Sequence, residues 1–91
     1  MNQETYQRMR QRLDDIDARL NALRELVEQD RSANVFQNEE LKRLEKRRKT
    51  VEQQLEELTS RLTWERYELV DLENLLYDLE MSTSRALQVF E

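Results

Sequence analysis

Pairs of acidic side chains are the residues whose type and spacing could do chemistry in this chain. Glu25 with Glu28, Glu65 with Glu68, and Glu68 with Asp71 are each three residues apart, a spacing that puts both carboxylates on one face of a helix. Such pairs can hold Mg²⁺ in all-helical phosphohydrolases, because Mg²⁺ prefers oxygen ligands. The same spacing arises by chance in a Glu-rich helix. We therefore expect no metal site, and a Mg²⁺-dependent phosphohydrolase is the least favoured of the alternative functions.

Other kinds of catalysis lack their usual groups. The chain contains no His and no Cys, so it has no imidazole to move protons near neutral pH, no thiol nucleophile and no soft metal site. It also contains no Gly, which excludes the glycine-rich loops that bind phosphates. We therefore expect a protein that is not an enzyme, with no catalytic residue, no cofactor and no metal.

Positive charge is concentrated at residues 42–49, with the sequence KRLEKRRK. Such a patch could contact an acidic partner or nucleic acid. However, 20 Asp and Glu outnumber 15 Lys and Arg, and no aromatic residue interrupts the run, which favours an ordinary solvated helix surface. No apolar run is long enough for a membrane span or a signal peptide. We expect no nucleic-acid partner, no membrane partner and a cytoplasmic location.

The elements that carry these residues are predicted to be helices. The 91 residues include no Gly and no Pro, with 38% charged and 37% hydrophobic residues, a composition typical of long helices and coiled coils. The apolar residues alternate three and four positions apart, as in a helix that packs on another helix. In the first part of the chain they are Tyr6, Met9, Leu13, Ile16, Leu20, Leu23 and Val27. We predict one all-α domain over residues 1–91.

Poor helix formers at residues 30–38 predict a turn. The predicted fold is an antiparallel helical hairpin: a helix at 2–30 capped by Asn2, a turn at 31–38, and a longer helix at 39–81 capped by Asn38. Folding the chain about this turn sets Arg24 beside Glu45. One continuous helix is the alternative, because no Gly ends the first helix and the heptad phase resumes unshifted. Residues 82–91 form a tail that is either frayed or ordered by a partner.

The longer helix carries more apolar surface than the first helix can cover. We therefore predict an antiparallel homodimer in which the two longer helices pair and form a four-helix bundle; the continuous-helix alternative also dimerises antiparallel. In this register Arg48 and Glu65, which interrupt the apolar seam, meet across the dimer. The predicted dimer interface consists of Leu41, Leu44, Arg48, Val51, Leu55, Leu58, Leu62, Glu65, Leu69 and Leu72.

Large apolar residues off the seam are candidates for binding another protein. They are Trp64, Tyr67, Val70, Leu75, Tyr77 and Met81 near the end of the second helix, and Phe36 at the turn. These features predict a non-enzymatic, self-associating coiled-coil protein that acts through protein–protein contacts, as an adaptor, regulatory subunit, small chaperone or assembly factor. The alternative is a regulator that inserts its hairpin tip, with Phe36 and the acids Asp30, Glu39 and Glu40, into a larger protein machine.

Overall fold

The described residues form three helices: α1 at Gln3–Gln29, α2 at Val35–Ser60 and α3 at Arg66–Gln88. The computed structural model describes residues 2–30, 35–61 and 63–90, and no strand occurs in these ranges, so the all-α prediction is confirmed. Asn2 caps α1 as predicted, and its Oδ1 accepts a hydrogen bond from the Thr5 N–H at 2.7 Å. This bond satisfies one of the free N–H groups of the first turn.

Polar contacts define the directions of the helices. Between α1 and α2, residue numbers rise in one helix as they fall in the other: the contacts are Tyr6 with Glu56, Arg10 with Glu52, and Arg24 with Glu45. Between α1 and α3, residue numbers rise together: Arg8 with Glu73, Arg12 with Glu80, and Arg19 with Ser84. Helices α1 and α3 are therefore parallel and α2 runs opposite to both. The result is an up-down-up bundle of 49 × 19 × 17 Å.

The heptad-spaced apolar residues form the core of this bundle. Each helix contributes one stripe, and the buried side chains are Met9, Leu13, Ile16, Leu20, Leu23, Val27, Leu41, Leu44, Val51, Leu55, Leu58, Leu72, Leu76 and Leu79. Each side chain of this kind stabilises the fold by roughly 1.5–3 kcal/mol when fully removed from water. A third helix of the same chain therefore covers the apolar surface that the sequence analysis assigned to a second copy.

The predicted helix at 39–81 is wrong, because α2 ends at Ser60 and α3 starts at Arg66. One continuous helix is excluded for the same reason. The hydroxyls of Thr59 and Ser60 donate to the carbonyl oxygens of Leu55 and Glu57, at 2.8 Å and 2.9 Å. Ser and Thr are weak helix formers, and such bonds to the preceding turn compete with regular helix hydrogen bonding. The end of α2 is therefore locally disfavoured as helix.

Ion pairs and a cap stabilise the corner between α2 and α3. Glu65 has the extended backbone of an N-cap residue, and its N–H donates to Glu68 Oε2 at 3.4 Å. The guanidinium of Arg61 lies 2.6 Å from Glu57 and 2.8 Å from both carboxylate oxygens of Glu68. These hydrogen bonds to Glu57 and then Glu68 raise the pKa of Arg61. Arg61, Glu65 and Glu68 thus direct α3 back along the bundle.

Two other boundaries differ from the predicted ones. Helix α2 already begins at Val35, four residues before the predicted start, so Asn38 lies inside the helix and is not its cap; residues 31–34 of the predicted turn lie outside the described residues. At the other end, residues 82–88 belong to α3. Thr83 is fully buried there and donates to the Leu79 carbonyl at 2.7 Å, because it occupies the next position of the inner apolar stripe.

Candidate interaction surface

Most of the predicted dimer interface is buried within a single chain. Six of its ten residues belong to the core: Leu41, Leu44, Val51, Leu55, Leu58 and Leu72. Leu69 is half-buried against that core and Glu65 is exposed at the start of α3, whereas Leu62 lies outside the described residues. The antiparallel dimer through this seam stays a prediction. The structure gives the described apolar residues of this seam neighbours from other helices of the same chain.

Arg48, one of the two residues that interrupt the apolar seam, forms ion pairs within its own chain. Its Nε lies 2.6 Å from Asp17 Oδ1, its Nη2 donates to Asp17 Oδ2 at 2.8 Å, and its Nη1 lies 3.0 Å from Glu52 Oε1. Arg10 Nη1 lies 2.8 Å from the other carboxylate oxygen of Glu52, Oε2. Bonding to Arg10, and then to Arg48, lowers the pKa of Glu52 below its ordinary value of 4.5. The charge of Arg48 is thus balanced between α1 and α2, without Glu65.

This network predicts a pH dependence of stability. Because the pKa of Glu52 is lower in the folded chain than in the unfolded one, its contribution is complete above about pH 4.5 and is lost as the pH falls through the folded pKa. We expect Glu52→Gln to reduce the free energy of unfolding by about 0.5–1 kcal/mol at pH 7. The difference from wild type should shrink in urea melts as the pH falls below about 4.5. A difference that does not decrease on acidification would contradict the ion-pair origin.

Other polar groups singled out in the sequence also have structural roles. Glu65 and Glu68 take part in the cap and the corner described above. Arg47 donates to Ser82 Oγ at 3.3 Å, and Arg43 pairs with Glu40. Within the ranges that the structure describes, no group of three or more acids is placed to hold a metal ion. None of the helices, over those same ranges, combines the length and hydropathy needed to cross a membrane.

Four of the predicted partner-binding residues line one exposed face of α3. The exposed fractions are 64% for Tyr67, 45% for Val70, 58% for Tyr77 and 39% for Met81. Together with the exposed Asn74 they are spaced three, four, three and four residues apart, and we call these five residues the outer stripe. Each of them lies two residues away from a position of the buried stripe of α3, which corresponds to a rotation of roughly 200° around the helix axis. The outer stripe therefore faces directly away from the bundle.

The remaining partner-binding candidates lie elsewhere. Trp64 and Leu75 are half-buried and pack against the core. Phe36 is 71% exposed at the start of α2. It lines a groove of about 260 Å³ at one end of the bundle, together with Val89 and Phe90, the two residues that follow α3. The candidates thus divide into the outer stripe, the core margin and the end groove.

Sequence reasoning missed the polar members of the α3 surface. Asn74 lies at the centre of the outer stripe, and the exposed residues Arg66, Asp71, Asp78 and Arg85 lie along its two sides. These four charged residues form no ion pair with any other residue in the described ranges. The available signal was the second three-four spacing at 67, 70, 74, 77 and 81, which runs beside the stronger Leu pattern.

Compared with known proteins, the chain matches no family model, no curated relative and no solved structure.

Proposed function

We propose that this chain is a non-enzymatic, self-associating helical protein that acts through protein–protein contacts. Its class is that of adaptors, regulatory subunits, small chaperones and assembly factors. The observation that supports the proposal is the outer stripe, with four large apolar side chains exposed on a single helix face. Large contiguous apolar surfaces are uncommon on monomers and mark binding sites. Tyr is also among the residues that dominate binding energy at interfaces.

The geometry of the outer stripe suits a partner helix. Its residues extend along about 21 Å of a straight helix, at 1.5 Å per residue. Apolar residues at positions i, i+3, i+7 and onward are those by which helices recognise apolar grooves or each other. Unpaired charged residues flank the apolar line on both sides, as in the polar rim of an interface. A helix from another subunit is therefore the proposed occupant.

A variant with two substitutions in the outer stripe tests this surface directly. We expect Tyr77→Ser combined with Met81→Ser to weaken binding of protein partners at least tenfold, because each exposed anchor contributes on the order of 1 kcal/mol or more. The measurement is quantitative pull-down of crosslinked partners from extracts of the source cells, with wild type and variant as bait. An unchanged set of partners would contradict the proposal.

The hairpin-tip regulator is the second candidate, and the exposed Phe36 at the end groove favours it. Here Phe36 and the tip acids Asp30, Glu39 and Glu40 are the proposed working end. Phe36→Ser in the same pull-down distinguishes the two candidates. Loss of partners with Phe36→Ser alone would favour the tip, whereas loss only with the α3 variant favours the outer stripe.

A further inference from the structure

We infer that the outer stripe is a homodimer surface on which two copies of the chain pair α3 against α3, parallel and in register. The inference rests on the proposed function and names its partner as a second copy. A two-fold axis parallel to α3 would place Tyr67, Val70, Tyr77 and Met81 each against its own copy. Helices α1 and α2 lie on the opposite side of α3, behind Leu72, Leu76 and Leu79, so they do not obstruct the approach.

The charges beside the outer stripe favour this arrangement. In a parallel helix pair, each residue before an apolar layer lies near the partner residue five positions later. Arg66 then lies beside the partner's Asp71, and Glu80 beside the partner's Arg85. By symmetry each contact occurs twice, which gives four attractive contacts. Three of these residues, Arg66, Asp71 and Arg85, have no ion pair with another described residue in the single chain.

Running the partner helix in the opposite direction brings acids together. In one antiparallel register Asp71 lies beside the partner's Asp78 and Glu73 beside the partner's Glu80. In the other register Asp71 and Glu73 each lie beside their own copies, and only Arg66 with the partner's Glu80 attracts. Like charges in these positions are destabilising by amounts similar to the gain from opposite charges. The parallel orientation is therefore the most favourable.

One repulsive contact remains in the parallel dimer, between Glu73 and the partner's Asp78. It is moderated by Arg8 of α1, whose Nη2 lies 3.9 Å from Glu73 Oε1 and whose side chain is largely exposed. A cation at this point lowers the local negative charge that the second copy meets.

Asn74 at the centre of the stripe specifies the register. In the parallel dimer it lies against its own copy, and its amide carries both donors and an acceptor, so two copies can bond to each other. A single Asn in an apolar helix seam fixes register and two-stranded pairing, at a cost in stability. Shifting the register by a heptad would set Asn74 against an apolar residue and leave its polar atoms without partners.

The size of the surface sets the expected affinity. One helix face with four apolar anchors lies at the low end of interface sizes, below about 1,200 Å² in total. We therefore expect a dissociation constant of about 10–100 µM. Sedimentation equilibrium should give the 11.2 kDa monomer at low concentration and approach twice that mass near about 500 µM. Val70→Ser with Tyr77→Ser should remain monomeric, while Val35→Ser, at an exposed apolar residue outside the stripe, should dimerise like wild type.

Charge reversal tests the orientation. Arg66→Glu alone and Asp71→Arg alone should each raise the dissociation constant about tenfold, since two attractive contacts become repulsive. The double variant R66E/D71R restores opposite charges only in the parallel dimer and should return to within about threefold of wild type. Failure of the double variant to recover would overturn the parallel assignment.

Disulfide trapping gives an independent test, because the chain has no native cysteine. In the parallel dimer Tyr67→Cys places the two thiols opposite each other and should form a crosslinked dimer on mild oxidation, whereas Val35→Cys should not. In either antiparallel register the two copies of residue 67 lie at least about 15 Å apart, well beyond the 7 Å limit for a disulfide. A dimer that fails to crosslink at residue 67, or a chain that stays monomeric at 500 µM, would overturn the inference. A monomer that still captures another protein through the stripe would leave the proposed function intact.

Discussion

Replacing Leu44 with Ala is expected to lower the free energy of unfolding by about 2–5 kcal/mol. Leu44 is fully buried in the middle of the bundle, so the truncation removes apolar contacts and leaves a cavity between closely packed helices. A chain of this length has a total stability of about 5–14 kcal/mol. The substitution therefore removes a large share of it.

Phe36→Ala is the matched control, because it truncates a larger apolar side chain on the same helix at a position that is 71% exposed. We expect it to cost less than about 1 kcal/mol. Urea denaturation followed by circular dichroism measures both variants. Equal losses for the two would contradict the burial that the bundle assigns to them.

The second large effect is expected when Pro is introduced inside α2 rather than at the break between α2 and α3. Arg66 is the first helical residue of α3, where Pro is tolerated because the N–H has no partner within the helix. Glu65 before it has φ −89° and ψ 149°, the extended conformation that a following Pro requires. We expect Arg66→Pro to change the free energy of unfolding by less than about 1 kcal/mol.

Gln53→Pro provides the contrast, because Gln53 is exposed but lies in the interior of α2. Pro there removes a helix hydrogen bond and clashes with the preceding turn, at a cost of about 3 kcal/mol or more. In an uninterrupted helix over 39–81 both positions would be interior and both variants would be severely destabilised. Thermal and urea melts of the two variants at low protein concentration therefore distinguish the three-helix bundle from the predicted hairpin.

Each of these two experiments compares two substitutions in the same chain that have opposite expected outcomes. A general loss of folding cannot imitate such a result. If Leu44→Ala and Gln53→Pro are severe while Phe36→Ala and Arg66→Pro are mild, the bundle and its corner are both supported.

The sequence by itself determined the helical class and the residues of the core. Absence of Gly and Pro, with apolar residues three and four apart, is enough to predict helices and their buried stripes, because period and burial are linked by helix geometry. A local signal also succeeded at Asn2, which caps α1. These predictions depend on residues that are close in sequence or at a fixed helical spacing. The contact of Arg24 with Glu45, at 3.0 Å, was expected instead from folding α1 and α2 antiparallel about the turn between them.

Only the tertiary structure decided where the chain turns between α2 and α3. The heptad phase continues unshifted from Leu58 to Leu72 across residues 61–65, and periodicity reports which side of a helix is buried but not whether the chain reverses. The corner depends on ion pairs from Arg61 to Glu57 of α2 and Glu68 of α3. It also depends on Glu65 as the N-cap of α3, and Glu is not a residue type from which an N-cap is predicted.

The exposure of the outer stripe also depends on the tertiary structure. With residues 39–81 predicted as one helix beside a shorter one, Tyr67 and Tyr77 were partner-binding candidates beyond the reach of α1, grouped with Trp64 and Leu75. Once α3 folds back and buries Leu72 and Leu76 against α1 and α2, the opposite face of α3 has no neighbour among the residues that the structure describes. Burial of one side of a helix determines which residues remain available to a partner, and that depends on the packing of all three helices.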